Sequence, residues 1–274
     1  SSGNTTNTVC PPVAAARNLT LTNTSTGGSS AVIWLQSNGT DGASNNTVKN
    51  CVLVGQSNST TLFGVGCGSS TIGTASLGID NDNNSFINNS IQKTQYGIYS
   101  GGQSVYNKNK GTIINQNLMN TAAPANLGTG GVFVTYEDEF TISGNVISEI
   151  NRTASPDALG INAGFLHSGI SATTFNSNEC TNATITNNII GTVTNSGSFS
   201  AVGIGMAATY SGASVIANNM ISGVSANGTA GDLGAGILLG GGTATINVLY
   251  NTVSMQGTIS GSSGASTASV CFAV

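Results

Sequence analysis

The chain has 274 residues, of which only 6% are charged, and its net charge is −4 with six Lys or Arg in all. An average domain carries about 25% charged residues, and so few cations cannot build the basic stripe that nucleic acid or an anionic membrane surface requires. Hydrophobic residues nonetheless reach 38%, and no apolar run approaches the roughly 18 residues of a membrane-spanning helix. Because those apolar residues recur at regular intervals, the composition points to a packed core and not to a disordered polar chain.

In chain order, residues 1–17 form a polar, irregular lead-in. The alternation Asn18-Leu19-Thr20-Leu21-Thr22-Asn23 is then a strand signal. Ala31-Val32-Ile33-Trp34-Leu35 follows as a second strand, and a frame of the type apolar-x-polar-Asn-x-apolar begins. Its copies place Asn at 89, 117, 145, 188, 219 and 251, with Cys51 standing where an earlier Asn is due and a fainter copy around Asn23. Several steps are 28 residues and the rest are longer, as expected of one coil carrying insertions. Each copy is rich in Ile, Val and Thr, which suit a pleated, half-buried surface. Asn tolerates the left-handed conformation of a tight corner, and amides stacked about 4.8 Å apart can bond to one another in a ladder.

Between these frames runs a second series marked by Gly-apolar pairs, including Tyr96-Gly97-Ile98-Tyr99, Gly130-Gly131-Val132-Phe133, Val202-Gly203-Ile204 and Gly236-Ile237. Two or three strands per coil of about 30 residues describe a solenoid whose hydrogen bonds run between coils. The expected fold is therefore all-β: a right-handed parallel β-helix of about eight coils, in a single domain over 1–274. Oversized coils are expected at 51–89 and 145–188, where inserted loops are the usual place for function. The last stretch, Ser269-Val270-Cys271-Phe272, reads as another Gly-apolar-type strand. An uncapped solenoid end exposes core and strand edges, so further coils or neighbouring domains are expected at both ends.

On these residues the chain resembles the parallel β-helix repeat proteins of the pectate-lyase-like superfamily. Val248-Leu249-Tyr250-Asn251-Thr252-Val253, with Gly236-Ile237-Leu238-Leu239 before it, is similar to the phrasing of large repeat-rich bacterial surface proteins exported by the type IX secretion system. The resemblance implies an extracellular or cell-surface location and a separate sorting domain elsewhere in the parent protein. It specifies fold far better than activity.

The superfamily contains polysaccharide lyases and glycoside hydrolases, so catalytic groups have to be weighed. The best carboxylate cluster is Glu137-Asp138-Glu139, in which strand alternation sends Glu137 and Glu139 to one face and Asp138 to the other. With His167, the one histidine, these are the catalytic candidates of an enzyme reading. Tyr136 and Trp34 are the candidate sugar platforms. Asp80, Asp82 and Asn84 place oxygens at alternate positions, as calcium loops do, without the later bidentate Glu or the sharp-turn Gly of a full calcium-binding hand. Calcium is thus the one ion considered, and no other cofactor is expected. The Gly-His-Gly turn and Arg-x-Lys of the hydrolases are missing, and no regular Thr-x-Thr column recurs, which sets an ice-binding face third. The expectation is a non-catalytic adhesin or stalk making weak glycan or surface contacts, with a carbohydrate-active enzyme as the rival.

Overall fold

The computed structural model describes residues 16–165, 170, 178–227, 232–255 and 268–274, and among these there is no α-helix. Three parallel sheets run side by side. The first is built from Leu19–Thr22, Cys51–Val54, Ser90–Gln92, Leu118–Met119, Val146–Ile147, Ile189–Asn195, Met220–Ala226 and Thr252–Ser254, with Ile150–Arg152 also pairing with Ile189–Asn195. The second holds Thr47–Lys49, Ser85–Ile87, Ile113–Asn115, Thr141–Ser143, Thr184–Thr186, Ala213–Ala217 and Thr245–Leu249. The third holds Ala31–Gln36, Phe63–Gly68, Tyr96–Gly101, Gly130–Thr135, Ala158–Ala163, Ala201–Met206, Leu233–Leu239 and Ala268–Ala273. Each turn visits the third, then the second, then the first sheet. The second sheet has seven strands and the third eight, so seven complete turns are flanked by one extra strand at each end. The fold is the parallel β-solenoid that the repeats predict.

Register explains the repeat. In the second sheet Val48, Phe86, Ile114, Ile142, Ile185, Ile216 and Val248 lie directly above one another. In the third, Ile33, Val65, Ile98, Val132, Ile161, Ile204, Ile237 and Phe272 do the same. Apart from Phe272, which is exposed, these files form one continuous core with Leu53, Ile91, Met119, Ile147, Ile190 and Ile221 of the first sheet. Each such side chain contributes about 1.5–3 kcal/mol on burial. The outward Thr47, Ser85, Ile113, Thr141, Thr184, Val215 and Asn247 make a mixed column, not a uniform threonine array.

The Gly of each Gly-apolar pair has a steric cause. A Cβ on Gly203 would lie 2.7 Å from Ile221 Cγ2 and 2.6 Å from the Gly236 carbonyl oxygen; one on Gly131 would lie 2.6 Å from Ile147 Cγ2. Gly64, Gly97, Gly160 and Gly236 meet Ile91, Met119, Ile190 and Val253 in the same way. Only a hydrogen leaves room for the core residue arriving from the first sheet.

The amide ladder runs where the repeats place it. Asn89 donates through N and Nδ2 to Asn117 Oδ1 at 2.9 and 3.1 Å. Asn117 does the same to Asn145, Asn145 to Asn188, Asn188 to Asn219 and Asn219 to Asn251. Each Nδ2 also holds a backbone carbonyl in the second sheet, as Asn117 holds Phe86 O at 2.8 Å. At the exceptional coil Cys51 is buried and its backbone N donates to Asn89 Oδ1 at 3.1 Å. Two details differ from expectation. The left-handed corner belongs to the residue before the ladder position (Asn50, Asn88, Gln116, Gly144, Asn187, Asn218 and Tyr250, φ 52–66°), so the second Asn serves the ladder and the first serves the bend. And Leu19, not Asn23, pairs with Cys51; Asn23 lies past the strand end, where its Nδ2 donates to Ala31 O at 2.7 Å.

The oversized coils are covers. Third-sheet strands from Phe63–Gly68 to Leu233–Leu239 are buried at every position, so the outward face of that sheet is shielded as well. There Trp34, Phe63, Tyr96, Tyr99 and Phe133 pack together, Phe63 and Tyr99 stacking at 4.7 Å between centroids. The insertion after Gly68 lies over them: Ile72 packs on the cluster and Tyr99 donates its hydroxyl hydrogen to Ser76 O at 2.8 Å. In the other long coil Phe165 and Ile170 join Leu159, Val202 and Leu238 on the same outer face.

Candidate functional site

The corner between the third and second sheets carries most of the acidic residues. Its backbone repeats as faithfully as the ladder corner: Asn45, Asn83, Gly111, Glu139, Asn182 and Gly212 are all left-handed, with φ between 51° and 78°. Its side chains do not repeat. Tyr136, also left-handed at φ 48°, leads into the short strand Glu137–Asp138, which pairs with Asn109–Lys110. The strand ends at Asp138 because Glu139 turns (φ 54°), and this cancels the expected alternation. Glu137 is wholly buried, Asp138 is half-buried and Glu139 is exposed, so Glu137 and Glu139 do not share a face.

Glu137 sits in the interior. Its Oε1 accepts the Ser100 hydroxyl and, at 3.2 Å, Asn109 Nδ2; Oε2 and the neighbouring Thr112 hydroxyl influence one another without a hydrogen bond of regular geometry. Burial pushes its pKa up to about 7, against the pull of Ser100, Thr112 and Asn109, with the Asp82 charge adding to the rise. Cys67 contacts Ser100 Oγ at 3.0 Å, and burial followed by the Glu137 charge raises that thiol to about 12. Burial likewise raises Cys180. These are inert core thiols.

Outside this buried knot, Lys108 Nζ donates to Glu179 Oε2 at 2.9 Å and Thr181 Oγ1 at 3.2 Å. The Thr181 hydroxyl and Asn182 Nδ2 donate to Asp138 Oδ1, each at 2.8 Å. Glu179 Oε1 accepts the Tyr210 backbone N–H at 2.6 Å. Burial works against ionisation of Glu179, but the Tyr210 N–H and Lys108 outweigh it and hold the carboxyl below its ordinary range. Lys108 and Glu179 stand 71 residues apart, so no local motif announces their pairing. Tyr106 beside Lys108 is 92% exposed and Tyr210 is 64% exposed.

The remaining candidates are scattered. Tyr136 is half-buried and spends its backbone on Asn178 and Asn109. Trp34 stacks on Phe63 and Tyr99 and donates its indole N–H to Ser69 O at 3.0 Å. Asn84 is buried: its Oδ1 accepts from Asn46 N and Nδ2, and its Nδ2 donates to Ala43 O and Asn81 O. Asp82 Oδ1 accepts the Lys110 N–H at 2.8 Å, and Asp80 is left-handed at φ 52°. Among the described residues no group of three or more His, Cys, Asp or Glu gathers as metal ligands. His167 lies outside the described residues. Of the remaining tyrosines, Tyr99 is buried in the outer aromatic cluster while Tyr210 and Tyr250 are exposed. Reasoning from the sequence missed Asp157, whose buried carboxylate accepts the N–H groups of Ile170 and Ser200 at 3.1 and 3.0 Å. Burial raises it to about 6.

No family model matches the chain, and no curated protein matches it. Among solved structures it is similar to the Streptococcus pneumoniae surface protein and adhesin PfbA, with 11% identity and a TM-score of 0.41. That likeness covers 89% of this chain and 64% of the other, so the chain spans less than two thirds of the length of PfbA. The type IX export route finds no support in these comparisons.

Proposed function

We propose that the chain is a segment of a secreted or cell-surface protein and works without catalysis, as a rigid stalk or adhesive scaffold. The observation that carries this reading is the file of amides joined in register from Asn89 to Asn251. It welds successive turns, while the outer corners are left free to vary. Coils in series give length and resistance to proteolysis, and repeated exposed groups give weak contacts that gain strength by multivalency. The carboxylate at the centre of the enzyme reading supports it too, since Glu137 has no exposed surface with which to touch a glycan.

The rival, a carbohydrate-active enzyme, retains one favourable observation: Lys108, Glu179 and Asp138 gather at one corner, where Glu179 also holds the backbone of the exposed Tyr210. Incubation with a panel of neutral and acidic polysaccharides separates the two. The scaffold reading expects retention on some glycans or surfaces with no new reducing or unsaturated ends. Released ends that disappear in Lys108→Met or Glu179→Gln would reassign the chain as an enzyme. Protease shaving of intact cells that make the protein tests the location: release of solenoid fragments is expected, and full protection would overturn it.

A further inference from the structure

The corner between the first and third sheets holds a guanidinium that forms no ion pair. Arg152 ends the strand Ile150–Arg152. Its Nη1 donates to Gly128 O at 2.9 Å and Thr129 Oγ1 at 2.7 Å, its Nε to Ala154 O at 3.1 Å, and its Nη2 to Ser155 O. Every one of these acceptors is neutral. A guanidinium has five N–H groups, so one hydrogen on Nη2 is left over. All ten Asp and Glu of the chain fall among the described residues, and none of them forms an ion pair with Arg152. The charge of Asp157 acts on Arg152, but the two form no ion pair, and the carboxylate is held instead by the Ile170 and Ser200 N–H groups. A half-buried charge is ordinarily paired, because desolvation without a partner is costly. Burial indeed lowers the pKa of Arg152 from its usual value.

This guanidinium borders a polar cleft of about 170 Å³, lined also by Asn58, Ser59, Gly128, Asn151, Thr153 and Ala154. No acidic side chain lines it, and its other polar side chains are amides and hydroxyls. Asn58 uses one amide hydrogen on Asn126 Oδ1 at 3.0 Å and keeps the second. Asn151 Oδ1 accepts the Thr194 hydroxyl at 2.9 Å, which turns the amide nitrogen into the remaining group to offer. A positive charge surrounded by uncommitted donors selects an anion with several acceptor oxygens.

We propose that this cleft binds one oxyanion group, a carboxylate or sulfate, carried by an acidic sugar or free in solution. The inference is independent of the scaffold reading, since it requires neither catalysis nor its absence. Calorimetric titration of the intact chain with sodium sulfate, glucuronate, an oligouronide and, as control, a neutral oligosaccharide tests it. Saturable binding of the oxyanions is expected, weakening as salt rises, with none for the neutral sugar. Ser59→Asp and Asn151→Asp change exposed positions on the cleft rim. Each supplies an internal counterion and is expected to weaken binding at least tenfold while the circular dichroism spectrum is unchanged. Arg152→Gln should also lose binding, but it removes loop hydrogen bonds, so the two rim variants carry the test. Tighter binding of the oligouronide than of the free ions would uphold the site as a glycan contact, and equal affinities would uphold it as an ion site. Failure of every oxyanion to bind saturably, or affinities untouched by both rim variants, would overturn the proposal.

Discussion

The two corners that flank the second sheet share a backbone and differ in everything attached to it. At the first, every turn except the one at Cys51 presents a left-handed residue followed by a ladder amide, and the side chains repeat with the fold. At the second, an equally regular file of left-handed residues carries Asn, Gly and Glu in turn, and the neighbouring side chains improvise. Asn46 and Asn84 begin a short ladder, then Asn109 bonds to the buried Glu137, then Lys108 reaches two turns along to Glu179. Solenoid geometry thus needs only one corner to be written as a strict repeat. The other is held by backbone bonds between turns and can accept individual chemistry.

Breaking the strict corner should cost most. Asn145→Ala leaves Asn117 N and Nδ2 without their acceptor and Ile114 O without its donor. At about 1–3 kcal/mol for each buried orphan, a loss of about 3–5 kcal/mol is expected in urea unfolding. A loss below about 1 kcal/mol would show that the ladder is incidental to stability.

The improvised corner should respond in the opposite sense. The Glu137 pKa rises from 4.5 unfolded to about 7 folded, so the folded state holds its proton longer. Stability is then full below about pH 4.5, declines as pH rises to about 7 and is level above that. The decline amounts to about 3 kcal/mol, and Asp157, raised to about 6, adds to it in the same direction. Glu137→Gln keeps the shape, offers N–H groups beside the Thr112 hydroxyl, and cannot ionise. It is expected to be the more stable protein at pH 8 and to flatten the midpoint-versus-pH curve between 4.5 and 7. An unchanged slope would place the titration elsewhere.

Smaller effects sharpen the contrast. Gly203→Ala puts a methyl against Ile221 Cγ2 and the Gly236 carbonyl and should cost about 1–3 kcal/mol by overpacking. At exposed Glu139, Glu139→Ala should shift stability by less than about 0.5 kcal/mol. Since the Asn84 amide oxygen is already bonded to Asn46, adding or chelating calcium should leave the melting midpoint where it is. A rise with calcium would restore the Asp80–Asp82–Asn84 loop as a metal site.

Local periodicity determined the parallel solenoid, the ladder positions 89 to 251, the Gly-apolar strands and the burial of Cys51. Each follows from a rule that acts within one coil: β-branched residues favour strands, Asn tolerates corners, and stacking repeats whatever one turn contains. What spans several coils was decided by the tertiary structure alone. Glu137 and Glu139 parted because a left-handed residue ended the strand between them. Trp34 was stacked and half-buried because Phe63 and Tyr99 arrive beside it from the next two turns. The long insertions became covers because the third sheet has an apolar outer face to hide. Lys108 found Glu179, and Arg152 found no carboxylate, through distances set by winding, and winding brings together residues that the order of the chain keeps far apart.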